Sequence, residues 1–176
     1  MRVITLTGSP RFPSPASALL EYAREALSRQ EIDVCHWHIQ NFTPEDLWLS
    51  RRISPALQTF QEQLASAGGI MIATPALPEP LPGLLQRLIA TFPPGALDHK
   101  VVLPLVTGEP LLPPDTGTPL FTTLGARRVL PVLYARHNQI ADYQHSARFS
   151  PDLQRALDNA LGHFTRALSD IAEPAQ

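Results

Sequence analysis

Side chains able to hold an anion crowd together near the N-terminus, in Thr7-Gly8-Ser9-Pro10-Arg11-Phe12-Pro13-Ser14-Pro15-Ala16-Ser17. The stretch follows a short apolar run, Val3-Ile4-Thr5-Leu6. It precedes a segment whose Leu19, Leu20, Ala23, Ala26 and Leu27 fall on one helical face. A strand, a loop of Gly, Ser and Arg, and a helix make a phosphate cradle, because backbone N–H groups and the positive end of the helix dipole converge there. The hydroxyls of Ser9, Ser14 and Ser17 add donors, and Arg11 adds a charged, fork-shaped one. Gly8 permits a tight turn or a close backbone approach that a Cβ would hinder. Any strand–loop–helix junction can carry Gly, Ser and Pro, so the residue types alone leave an anion site and a plain turn equally open.

The remaining reactive side chains form weaker patterns. His36 and His38 project to the same side of an expected strand, yet two ligands without a third make a poor metal site. A position under a helix or at the strand's end suits them better. His99, His137, His145 and His163 are scattered, with no Ser/Asp arrangement that would build a triad. Arg51-Arg52 reads as a solvated pair able to attract a nucleotide phosphate, and Trp37 and Trp48 read as core or interface aromatics. Cys35 is the single cysteine, which excludes an internal disulfide and a cysteine metal cluster. It is expected as a buried, inert thiol.

Apolar strands alternating with amphipathic helices must position the cradle, a pattern that predicts a parallel sheet covered on both faces. Strands are expected near residues 2–7, 32–38, 70–73, 100–106 and 128–135. Helices are expected near 16–29, 55–67, 82–92 and from 151 onward, with short helical turns near 44–47 and 119–124. Thr43-Pro44, Ser54-Pro55 and Ser150-Pro151 each place a capping hydroxyl before a proline at the first helical position. Pro104 is the discordant residue of the fourth strand, since proline donates nothing to a ladder. The expectation is an α/β domain over residues 1–176: a flavodoxin-like, doubly wound, five-stranded parallel sheet in three layers, order 2-1-3-4-5. Ligands of such sheets sit beyond the carboxyl ends of the strands at the switch point. The loops 8–14, 74–82 and 107–115 are therefore expected to meet at one site.

A length of 176 residues, 44% hydrophobic and 17% charged, fits one globular domain. A net charge of −2 gives no broad cationic surface for nucleic acid or an anionic membrane. No apolar stretch is long enough to span a bilayer and no signal sequence is visible, so the cytoplasm is the expected compartment. The 19 prolines are about twice ordinary usage, and eleven of them load the two connections at 75–94 and 104–119.

The opening residues, from Met1 through Ser14, resemble those of the NADPH-dependent FMN reductases of alkanesulfonate assimilation. Leu19-Leu20-Glu21-Tyr22-Ala23-Arg24-Glu25 is similar to that family's first helix. Ile72-Ala73-Thr74-Pro75, Asn138-Gln139-Ile140-Ala141-Asp142-Tyr143 and Phe149-Ser150-Pro151-Asp152-Leu153-Gln154 extend the likeness. The resemblance implies FMN and NADPH (or NADH) as ligands, with Ser9, Arg11 and Ser14 on the flavin phosphate. It implies Pro75, Ala76 and Leu77, with Thr107, Gly108 and Glu109, around the isoalloxazine ring. It further implies a homo-oligomer and reduced flavin passed to a flavin-dependent monooxygenase. The chain departs from the pattern at two loops. After Pro75 the family's aromatic, Ser, Lys and Asp are missing, and after Thr107-Gly108 a glutamate replaces glycine and prolines replace the start of a long helix. Glu109 would set a negative charge near a ring that becomes negative on reduction. The first expectation is an NAD(P)H:FMN oxidoreductase. The alternative is a non-catalytic descendant that keeps the fold for binding or subunit pairing.

Overall fold

A computed structural model describes residues 1–48, 54–76, 83–109, 122 and 124–172. Strand β1 (Arg2–Thr7) is the centre of the N-terminal half. It pairs in parallel with β2 (Asp33–His38) on one side and β3 (Gly69–Pro75) on the other, so that Thr7 faces both His38 and Ala73. Strand β4 (Val101–Thr107) follows β3 in parallel, and β5 (Arg128–Val129) lies beyond it, giving the order β2-β1-β3-β4-β5. That is the sheet order expected from the sequence.

The fifth strand is not continuous. The 128–135 run splits into β5 and β6 (Leu133–Ala135), both paired with β4, and the ladder lapses opposite Leu103 and Pro104. Pro104 and Pro131 have no N–H to give, so a continuous rung pattern cannot cross that region. A short antiparallel hairpin, β7 (Ile140–Ala141) with β8 (Arg148–Phe149), was not visible in the sequence pattern.

Helix α1 (Pro15–Ser28) starts at Ser14, which caps it reciprocally with Ser17: the Ser17 amide donates to Ser14 Oγ at 3.1 Å and the Ser14 amide to Ser17 Oγ at 2.9 Å. Helix α2 (Pro44–Trp48) is capped by Thr43, whose Oγ1 accepts the Asp46 amide at 3.2 Å. Helix α3 (Pro55–Ser66) is capped by Ser54, which accepts the Leu57 amide at 3.2 Å. Helix α4 (Gly83–Ala90) buries Leu85, Leu88 and Ile89 against the chain's own sheet, leaving Leu84 exposed. Helix α5 (Pro151–Ala172) closes the fold, with the Leu153 amide donating to Ser150 Oγ at 3.3 Å. The expected turn at 119–124 lies almost wholly outside the described residues.

Two apolar layers result. One joins α1 and α5 to Val3, Met71, Leu103 and Leu105; the other joins α2, α3 and α4 to Ile4, Leu6, Ile70, Ile72 and Val102. Alternate strand residues enter opposite layers, as the two-residue period of a strand covered on both faces requires. Gly69 is a packing requirement: a Cβ there would lie 2.7 Å from Phe164 Cζ, 2.9 Å from Leu168 Cδ2 and 3.0 Å from the Val101 carbonyl oxygen. Helix α5 therefore sits directly on the start of β3. At the far end of the sheet from the 8–14 loop, buried Lys100 donates to the Ala67 carbonyl at 2.8 Å and the Ala65 carbonyl at 3.4 Å, satisfying the end of α3.

Candidate functional site

Backbone bonds tie the carboxyl ends of the strands into one rim. The Gly8 amide donates to the Ala73 carbonyl at 2.8 Å, Ala76 to Thr107 at 2.7 Å and Gly108 to Ala135 at 2.8 Å. The loop after β1, the exit of β3 and the exit of β4 thus meet, as the expected topology requires. Gly8 is there for closeness, because a Cβ would come within 2.8 Å of Leu85 Cδ2.

In the 8–14 loop, buried Ser9 accepts the Arg11 amide on its Oγ at 3.3 Å, and its own O–H has no acceptor among the described residues. The Ser14 oxygen is engaged by the cap, and its proton likewise has no acceptor among the described residues. Ser17 differs: its hydroxyl donates to the Ser14 carbonyl at 2.8 Å and is spent on the helix start. The Arg11 side chain reaches solvent and has no ion-pair partner among the described residues. Thr7 contributes a feature that its residue type did not advertise. Its Oγ1 is fully buried where β1 enters the loop and has no hydrogen-bond partner among the described residues.

On the other side of the rim stand Pro75 and Ala76, both half-buried, and buried Thr107 and Gly108. Gly108 takes φ +110°, and a Cβ on it would lie 3.4 Å from both the Ala76 Cβ and His137 Nε2. Leu77 lies outside the described residues, as do Arg51, Arg52 and the loop beyond Glu109. The charge expected from Glu109 is not left bare. Its carboxylate sits 3.7 Å from the Arg136 guanidinium, in a solvent-exposed pair. Such a pair contributes only about 0–1 kcal/mol to stability, but it supplies a compensating charge at that corner. Arg136 and His137 had no sequence signal, because they follow β6 and reach the rim only through its pairing with β4.

The histidines of β2 are half-buried on the α1 side of the sheet. Their Nε2 atoms are hydrogen-bonded at 3.0 Å, and His36 Nδ1 is bonded to Thr5 Oγ1 at 2.6 Å. Burial, reinforced by the neighbouring imidazole, pushes His36 below its ordinary value; burial alone does so for His38. Among the described residues no group of three or more His, Cys, Asp or Glu is arranged to hold a metal ion. Trp37 stacks on Phe42 and meets Phe60 edge-on within the core, whereas Trp48 is exposed with Arg87 4.0 Å above its ring. Cys35 is half-buried, less enclosed than expected. No helix of the described residues is long and apolar enough to cross a membrane.

A doubly wound parallel sheet of order β2-β1-β3-β4-β5, with the exits of β1, β3 and β4 meeting at one rim, defines a flavodoxin-like fold. Known proteins narrow this. The sequence profile of the NADPH-dependent FMN reductases matches residues 1–111. The chain is 49% identical over 172 residues to FMN reductase (NADPH) of Escherichia coli K12, covering 96% of this chain and 90% of that one. It is 32% identical over 180 residues to FMN reductase (NADPH) of Pseudomonas putida KT2440, covering 99% and 91%. Among solved structures, apo NADH:FMN oxidoreductase superposes with a TM-score of 0.82 at 28% identity, covering 96% of this chain and 89% of that one. An archaeal flavodoxin superposes with a TM-score of 0.64 at 13% identity, covering 95% and 99%, a likeness of fold. The chain belongs to the NADPH-dependent FMN reductase family. The non-catalytic alternative is not favoured.

Proposed function

We infer that the protein transfers hydride from a reduced nicotinamide nucleotide to FMN, binding the flavin phosphate in the 8–14 loop. The observation that carries this reading is the uncommitted hydrogen-bonding capacity at the mouth of that loop. Among the described residues it comprises the orphaned Thr7 hydroxyl, the Ser9 and Ser14 protons without an acceptor, and the Arg11 cation without an ion-pair partner. Buried polar groups rarely go unmatched, so a polar occupant fits this corner better than a bare turn does. Charge-assisted bonds to a phosphate are the stronger kind.

FMN bound there would supply the redox chemistry, as the acceptor of hydride from a reduced nicotinamide. The chain's own part is to bind, orient and exclude water. Ser9, Arg11 and Ser14 fix the phosphate. Pro75, Ala76 and Leu77 with Thr107, Gly108 and Glu109 wall the ring, with Arg136 offsetting the Glu109 carboxylate. No side-chain acid or base is needed for hydride transfer between stacked rings, and none is assigned. NADPH is the proposed donor, in line with the two bacterial relatives. A homo-oligomer in the cytoplasm that feeds reduced FMN to a monooxygenase completes the proposal.

The test is consumption of NADPH by the purified protein with and without added FMN. Oxidation that requires FMN, together with quenching of FMN fluorescence, is the expected result. Neither signal at any FMN concentration would leave the architecture standing and remove the activity.

A further inference from the structure

The anion loop has few anchors of its own. Pro10, Pro13 and Pro15 lack amides, the Arg11 amide is used within the loop, and the Ser14 amide is used by the cap. Beyond these, the described residues tie its middle to the end of β2. Gln40 Nε2 donates to the Pro10 carbonyl, and the Phe12 ring meets the His38 imidazole edge-on with centroids 4.8 Å apart. Phe12 is 64% exposed, so no core pocket fixes it; His38 is its aromatic neighbour. His38 is itself held through His36 to Thr5 on β1, by bonds of 3.0 and 2.6 Å. The result is a continuous brace from the middle of the sheet to the tip of the loop.

We propose that His38, acting through Phe12 and oriented by His36 and Thr5, is a positioning residue for the phosphate-binding loop and so sets preference for the phosphorylated flavin. This rests on the FMN-reductase reading above. An edge-to-face ring pair adds enough to hold a short loop in one arrangement, and preorganised donors bind an anion without first having to be ordered. The groups facing the two imidazoles are Glu21 and Arg24, ion-paired on α1, with Tyr22, Glu25, Tyr143 and His145 lining the same groove. Among the described residues the aromatic ring paired with Phe12 is His38.

The experiment is a double-mutant cycle of Phe12→Ala and His38→Ala, read as kcat/KM with NADPH for FMN and for riboflavin. Each single variant is expected to lower the FMN-to-riboflavin ratio about three- to tenfold, through KM for FMN, with kcat at saturating FMN and KM for NADPH unchanged. The double variant is expected to fall short of the product of the two singles, and His38→Phe to recover most of the ratio. Phe12 is exposed, so its removal leaves the core intact. Equal losses for both flavins, or strictly multiplicative effects, would overturn the inference while leaving the reductase activity in place. A wild-type protein that reduces neither flavin would overturn both.

Discussion

Gly108 adopts φ +110°, a conformation that side chains rarely accept, at the exit of β4. Gly108→Ala is expected to cost about 1–3 kcal/mol of strain and to push the new methyl against Ala76 and His137. Its signature is a higher KM for FMN with a modest fall in melting temperature; an unchanged KM would mean that this corner does not touch the flavin. Residue types in the loop after β1 showed hydrogen-bonding capacity at Ser9, Arg11 and Ser14, but by themselves left an anion site and a plain turn equally open. Glu109 was legible only in part. Its charge was plain, but its partner Arg136 reaches it through strand pairing that no local spacing encodes. The orphaned Thr7 hydroxyl was hidden for the same reason, because a strand threonine looks like any β-branched residue until its surroundings are known.

At the scale of elements, caps and apolar periods announced most of the fold. Ser14, Thr43, Ser54 and Ser150 all stand one residue before the helices they begin. The fifth strand misled because an apolar run shows period but not pairing. Its break answers to Pro104 on the neighbouring strand as much as to its own Pro131. Two-residue strands such as β7 and β8 carry no period at all. Gly69 is the floor on which α5 rests. Gly69→Ala is expected to destabilise by about 1–3 kcal/mol, because two α5 side chains and the Val101 carbonyl oxygen would all have to move. Chemical denaturation measures this directly, and loss of less than about 0.5 kcal/mol would mean that α5 does not pack there as described.

Across the whole molecule, the sheet gathers the exits of β1, β3 and β4 at its carboxyl rim and leaves structural devices, such as buried Lys100, at the other. The histidine pair links that arrangement to pH. Both folded values lie below the ordinary 6.5, so below that pH the unfolded chain takes up protons that the native pair resists. Their contribution is therefore intact above pH 6.5 and is lost as pH falls through the folded values. Replacing both with glutamine is expected to flatten the acid-side decline in melting temperature; an identical decline would show that other groups govern it. The central claim, that the loop after β1 grips a flavin by its phosphate, is tested most directly by fluorescence-quenching affinities for FMN and riboflavin on the unmodified protein. FMN is predicted to bind at least about tenfold tighter, an advantage largely erased by Ser9→Ala with Arg11→Ala. Equal affinities of the unmodified protein for the two flavins would contradict the account.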